Sequence, residues 1–321
     1  SGFIQTNFIL RISIRKCVFW SLNKDSHTHA QHQHGQEERH RPWHTLGTHE
    51  GWTIVEVFEC IAAPKGAIQI CHSCERICPL SAEPGLMSQF SDAEKEAMKE
   101  EAGIEACTFV KSGMKIGIGT GSTVKYTILE LGRRIREEGL KIAGIPTSDA
   151  TEKLSIEQGI PMLDWSECDQ LDLVIDGADE FDHDLHLIKG GGGALLREKI
   201  VAESSGGMIV VADASKRVEV LGAFPLPIEV NPYGWEQTKR RIESICAGPV
   251  QLRGTNYLTD NGNPILDAHF GATIADPVQL ETDLRSISGV VEVGLFTDTA
   301  DIIVLAAQGG CEMIRKPTAR L

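Results

Sequence analysis

From residue 87 onward the chain predicts an α/β fold: a doubly wound, mostly parallel sheet with a second, smaller α+β domain inserted near the C-terminus. Three observations carry this expectation. Apolar runs of strand length alternate with segments of helical periodicity. Two of those runs, LDLVIDG and MIVVAD, are almost continuously apolar, as in strands covered on both faces. After Lys216 the text turns to prolines and an Asn-Gly pair, the punctuation of an antiparallel region. With 321 residues, 41% of them hydrophobic, the chain can bury two cores.

The elements follow in order. Ser91, with Glu94 three residues on, opens a helix expected over residues 91–110. Met114, Ile116 and Ile118 alternate as in a strand, and Val124, Ile128, Leu131 and Ile135 repeat as a helix face, with the glycines of GIGTGST at the hinge. LKIAGIPTS reads as a strand entering the helix DATEKLSIEQG; LDLVIDGAD is a strand; ALLREKIVAES is a helix and MIVVAD another strand. This alternation is Rossmann-like. FPLPIEVNPYGW, the basic helix EQTKRRIESI, a hairpin in YLTDNGNPILDAHF and a helix at residues 276–288 form the small domain, after which DIIVLAA rejoins the main sheet. The expected division is an extension of low order at 1–86, an α/β domain at 87–221 and 294–321, and the small domain at 222–293.

The net charge of -14 lies wholly in residues 91–321, because residues 1–90 balance eight bases against eight acids. An acidic surface of this kind repels phosphate backbones and argues against nucleic acid as a partner. No apolar run reaches the roughly 18 to 20 residues that span a bilayer. Residues 1–86 show no sustained periodicity. His27, His29, His32, His34, His40, His44 and His49 crowd there, as does CHSCERIC. Cys71, Cys74 and Cys78 could converge on a metal, but no second ligand pair stands at a recognisable spacing, so no metal is expected. The first 24 residues hold four bases and no acid, which suits a transit peptide; a native start near Met87 is the simpler reading.

Ligands of open parallel sheets bind off the carboxyl ends of the strands. Three strand ends carry suitable groups. In GIGTGST, Thr120, Gly121, Ser122 and Thr123 place free amides and hydroxyls at a helix start, a cradle for a phosphate. The pattern is neither a P-loop nor a full dinucleotide fingerprint. Asp176, Gly177, Ala178 and Asp179 end the strand LVI, where carboxylates lose solvation, and Lys189 is a plausible partner for them. Gly190, Gly191, Gly192 and Gly193 let the backbone pass close to a ligand. Glu198, one turn into the next helix, can point back to the same crevice and move a proton between adjacent carbons. From spacing alone the plainer reading, a solvated helix glutamate paired with an arginine or lysine, is favoured. Glu180, Asp182, His183, Asp184 and His186 read as an exposed loop.

Together GIGTGST, TSDATEKL, DLVIDGADE, LIKGGGGALLREKIV, VADASK, FPLPIEV, TDNGNPILD and GVVEVGLF, in this order over residues 91–315, resemble the type A ribose-5-phosphate isomerases. The resemblance implies interconversion of D-ribose 5-phosphate and D-ribulose 5-phosphate in the pentose phosphate pathway, without cofactor or metal, by a cytoplasmic homodimer. It implies Glu198 as the base, passing the proton through an enediolate. Asp176, Asp179 and Lys189 would assist at the oxygens. Substrate contacts would fall at Thr120 to Thr123, Asp176 to Asp179, Lys189 to Gly192, Lys216 and, on the first helix, Lys99. An organelle-targeted form follows if residues 1–86 are a transit segment. Two rivals are an amino-sugar-phosphate isomerase or deaminase of the same broad fold, which LIKGGGGALLREK disfavours, and a non-catalytic sugar-phosphate sensor. A sensor would lack Glu198 and carry a basic helix-turn-helix.

Overall fold

A computed structural model describes residues 91–321 except residue 308, and before them four strands: β1 (Asn7–Ser13), β2 (Lys16–Leu22), β3 (His44–His49) and β4 (Trp52–Val57). The chain divides into two compact units, Ser1–Gln89 and Phe90–Leu321. In the first, the four strands form an antiparallel sheet in the order β1-β2-β4-β3, where the sequence suggested no regular structure. NFILRIS and KCVFWSL carry the β-branched and aromatic residues that suit a pleated surface, although the consecutive apolar runs FIL and CVFW break their alternation. Cys71, Cys74, Cys78 and the histidines from His27 to His40 lie outside the described residues.

The second unit opens with α1 (Asp92–Ala106), whose capping box joins Ser91 and Glu94 as the sequence indicated. It continues through β5 (Lys115–Ile118), α2 (Val124–Glu138), β6 (Ala143–Pro146), α3 (Asp149–Glu157), β7 (Leu173–Gly177), β8 (Glu180–Phe181), β9 (Leu187–Ile188), α4 (Leu195–Glu203) and β10 (Met208–Asp213). The small sheet takes β11 (Leu226–Val230), α5 (Trp235–Glu243), β12 (Val250–Leu252), β13 (Ile265–Ala268), α6 (Pro277–Arg285) and β14 (Val290–Val293). β15 (Leu295–Phe296), β16 (Ile302–Ala307) and β17 (Gly310–Arg315) complete the unit, outside the small sheet.

The main sheet has the order β17-β16-β10-β7-β5-β6, parallel except for β17. In chain order its parallel strands run 2-1-3-4-5, so the winding reverses between β5 and β7 and leaves a crevice beyond their carboxyl ends. Leu173 and Ile175 pack under α1 and α2 with Ile116, Ile118 and Ile128. Val174 faces the other way, towards Val201 and Ala202 of α4. Each fully buried aliphatic side chain of this kind contributes about 1.5 to 3 kcal/mol. By the same alternation Asp176 belongs to the α4 side.

The small sheet, β12-β13-β11-β14, is antiparallel and encloses its own core around Ile228, Leu266 and Val293. Its Asn-Gly turn is present, Gly262 donating to the Thr259 carbonyl at 2.9 Å. The expected hairpin is not: β13 pairs with Val250–Leu252, several residues upstream, rather than with the residues just before the turn. DIIVLAA does rejoin the main sheet, as β16, and is followed by β17, a strand without a clean alternating pattern.

Candidate active site

Each site residue reaches the crevice for a local reason. Glu198 lies on α4 at the i, i+3, i+4 spacing from Val201 and Ala202, so it shares their inward stripe and faces the sheet. Lys189 follows β9, which folds back over the end of β7; its amide donates to the Gly294 carbonyl at 2.8 Å. The ammonium donates to the Gly177 carbonyl at 2.5 Å. It also stands 3.0 Å from Asp176 Oδ2 and 3.4 Å from Glu198 Oε2, as ionic contacts not aligned as hydrogen bonds. All three side chains are buried, with relative exposures of 0% for Asp176, 2% for Lys189 and 4% for Glu198.

Asp176 is fixed by two amides: Oδ1 accepts from Thr120 at 3.0 Å and from Gly177 at 2.7 Å. Burial pushes its carboxyl up, against the pull of the Lys189 charge and those amides. Burial and then the like charge of Asp176 push Glu198 to about 8, with Lys189 opposing. Burial alone would lower Lys189, but the neighbouring charges of Asp176 and Glu198 outweigh it and hold the ammonium above the ordinary lysine range. One cation thus faces two buried carboxyls. Asp176, with two amide donors, is the better stabilised anion, and Glu198 is the group poised to take up or release a proton near neutral pH.

The predicted residues divide by position. Asp179 is not the partner of Lys189; its Oδ2 instead accepts from the Gly191 amide at 2.7 Å, which orients the glycine run. A Cβ at Gly191 would come within 2.5 Å of that carboxylate. Gly121, at φ 132°, and Ser122 are exposed at the start of α2, whose N-cap Thr123 makes no side-chain cap; the Lys125 and Tyr126 amides donate to the carbonyls of Gly121 and Thr123 at 3.1 Å, and the positive end of the helix faces the loop. Lys216 follows β10, at the same edge of the sheet. Lys99 pairs with Glu96 at 2.6 Å, and Glu96 accepts from the Tyr126 hydroxyl at 2.7 Å, so this lysine is engaged in the helix pair.

The sequence reading missed a group of hydroxyls. Thr120 Oγ1 lies 2.7 Å from Thr147 Oγ1 and 2.8 Å from Ser148 Oγ, and Thr151 Oγ1 donates to the Gly119 carbonyl at 2.9 Å. TSDAT carries three hydroxyls in five residues at a strand end, which was the available signal. The reading of residues 180–186 as an exposed loop is corrected for Glu180 and Asp182, both buried. Glu180 accepts from the amides of Gly222, at 2.8 Å, and Phe224, at 2.5 Å; Asp182 accepts from those of Asp184 and His186. A carboxylate that collects backbone donors can be buried where sequence polarity suggests solvent.

A parallel sheet with a buried carboxyl, lysine and second carboxyl at its topological switch point defines an α/β enzyme equipped for proton transfer. The family model for ribose 5-phosphate isomerase A (phosphoriboisomerase A) matches residues 143–310. The ribose-5-phosphate isomerase A of Bacillus mycoides is 49% identical over 215 residues, 66% of this chain and 97% of that protein. The solved ribose 5-phosphate isomerase A of Methanocaldococcus jannaschii is 40% identical with a TM-score of 0.66, covering 69% of this chain and all of that one. A solved D-ribose-5-phosphate isomerase in complex with phospho-erythronic acid is 41% identical with a TM-score of 0.66, over 68% of this chain and 98% of that one. The chain belongs to the ribose 5-phosphate isomerase A family, a family of aldose-ketose isomerases.

Proposed function

We propose that the chain interconverts D-ribose 5-phosphate and D-ribulose 5-phosphate, with Glu198 carrying the proton between C2 and C1. The observation that carries this is the Glu198 carboxyl: buried, raised to about 8, and 3.4 Å from the Lys189 ammonium. The Glu198 carboxylate takes the C2 proton of the open-chain aldose; the electron pair forms the C1–C2 double bond, and the O1 carbonyl becomes the oxyanion. Return of the proton to C1 and transfer of the O2 proton to O1 give the ketose. Atoms and electrons balance within the sugar, so no redox partner is required. Lys189 and the nearby amides stabilise the oxyanion as it forms, and Asp176 and Asp179 hold the hydroxyls.

The substrate phosphate belongs at Thr120, Gly121, Ser122 and Thr123, where the helix start favours an anion, with Lys216 and Lys99 as candidate cations. The test compares the purified chain with Glu198→Gln in a chelator-containing buffer, in D₂O. The parent should convert ribose 5-phosphate and place deuterium at C1 of the ketose to the extent that the Glu198 carboxyl proton exchanges with solvent before its return. The variant, folded by circular dichroism, should lose about 10² to 10⁴ in kcat, the usual worth of a positioned base. A folded parent without turnover, or a variant within tenfold of it, would falsify the proposal.

A further inference from the structure

The glycine run is gripped on its carbonyl side by the small sheet. Arg253, just after β12, donates through Nη1 to the carbonyls of Gly190 at 2.8 Å and Gly191 at 3.1 Å. Its Nε and Nη2 meet the two carboxylate oxygens of Asp267, on β13, at 2.9 and 2.5 Å. This fork-to-fork contact fixes the guanidinium plane. Tyr257 lies against the guanidinium, 5.6 Å from ring centre to Cζ, and its hydroxyl donates to the Gly192 carbonyl at 3.4 Å. Three successive carbonyls are therefore held by two side chains of the segment that joins β12 to β13.

A trans peptide keeps its C=O and N–H antiparallel in one plane. With the carbonyls of Gly190 and Gly191 turned towards Arg253, the amides of Gly191 and Gly192 must turn away from it. The Gly191 amide meets Asp179 there. Gly190 and Gly193 sit at φ 103° and 82°, and the run, which has no side chains, holds itself by one turn bond, the Gly193 amide donating to the Gly190 carbonyl at 2.9 Å.

We propose that Arg253 is a positioning residue for the isomerisation. It orients the peptide planes of residues 190–192 so that the Gly191 amide holds Asp179 and the Gly192 amide faces the oxygens on which enediolate charge develops. The guanidinium does not touch the sugar. What the amides stabilise rests on the isomerase reading; that Arg253 holds the run does not.

The experiment measures kcat and KM for Arg253→Ala, Arg253→Lys and Arg253→Ala with guanidinium chloride at non-denaturing concentration, together with amide hydrogen exchange by mass spectrometry. Misplacement of reacting groups by about 1 Å can cost on the order of 10²-fold, so Arg253→Ala should lose about 10- to 100-fold in kcat with KM little changed. Arg253→Lys, a point donor without the fork, should fall between. Added guanidinium should restore part of the alanine variant's kcat and leave the parent unimproved. Exchange should quicken in the peptide covering residues 188–194 and stay unchanged in β7 and β10. A parent-like kcat overturns the proposal. So does a loss that neither lysine nor guanidinium relieves and that accompanies faster exchange throughout residues 90–321. A parent without turnover defeats the isomerase reading alone; unchanged exchange at residues 188–194 would then still overturn the role of Arg253.

Discussion

Two carboxyls and one ammonium share the buried floor of the crevice, and the sharing decides which group titrates near neutrality. Asp176 accepts two amides at one oxygen and has the Lys189 ammonium 3.0 Å from the other, whereas Glu198 has the ammonium alone, at the longer distance of 3.4 Å. Burial and Asp176 raise Glu198 to about 8, so in the free enzyme it is mostly protonated below that pH and unable to accept a proton. We predict that log kcat/KM rises with unit slope as pH approaches about 8 and levels above it, since this parameter reports the free enzyme's base. In Asp176→Asn the like charge is gone, and the limb of whatever activity remains should move to lower pH. A profile flat from pH 5 to 8 would exclude Glu198 as the base at this ionisation. The residue was only half legible in the sequence. Its place one turn beyond the glycines suggested the crevice, but its burial depends on Leu195, Val201 and Ala202 completing an inward stripe that spans two polar residues, which spacing from the glycines alone does not show.

At the scale of elements, the strands and helices around the switch point were legible because they bury apolar stripes, and the signal scales with what is buried. β7 and β10 read as continuous apolar runs for that reason. Partner choice was not legible: ILDA pairs with VQL across the long segment between them, because the antiparallel partner is set by the small core and not by the nearest turn. β17 lies at the sheet edge with alternating exposure too weak to mark it. The glycine before Thr120 tests how tightly these elements are fitted. A Cβ at Gly119 would stand 2.1 Å from Asp176 Oδ1 and 2.6 Å from its Cα, so at least one contact is with backbone that cannot yield. Gly119→Ala should therefore push β5 and β7 apart, costing about 1 to 3 kcal/mol as other overpacked sites do. Because the displaced group is Asp176, activity should fall further than stability, by more than tenfold at a temperature where the variant is fully folded. Thermal melts with kinetics on the same sample decide it; parent-like turnover would show that the fit is looser than the geometry implies.

At the scale of the whole Phe90–Leu321 unit, the two sheets are joined through the helix that carries the base. Lys199, next to Glu198 on α4, is buried, and its ammonium shares its three donors among four acceptors: Glu281 of α6 at 2.5 Å, Glu292 of β14 at 2.9 Å, and the carbonyls of Val293 and Leu295 at 3.0 and 2.7 Å. The ammonium also lies 4.8 Å from the Phe296 ring centre. Sequence polarity gave no sign of this, since a lysine in LREK has the look of a solvated helix residue. A buried ion cluster contributes little net stability compared with an apolar replacement, yet removing one member strands the others, at about 3 to 5 kcal/mol. Lys199→Met should therefore lower the melting temperature by about 6 to 20 °C for a unit of this size, at roughly 2 to 4 °C per kcal/mol. The triple variant Lys199→Met, Glu281→Gln, Glu292→Gln leaves no buried charge to strand, only the half-exposed Arg285, and should recover more than half of that loss. Arg285, within 4 Å of both glutamates, would hold part of the charge in the single variant and sets the lower bound of the effect. A single variant that melts with the parent would mean that the seam between the sheets is held by apolar packing alone, and that the lysine beside the base has no share in fixing α4.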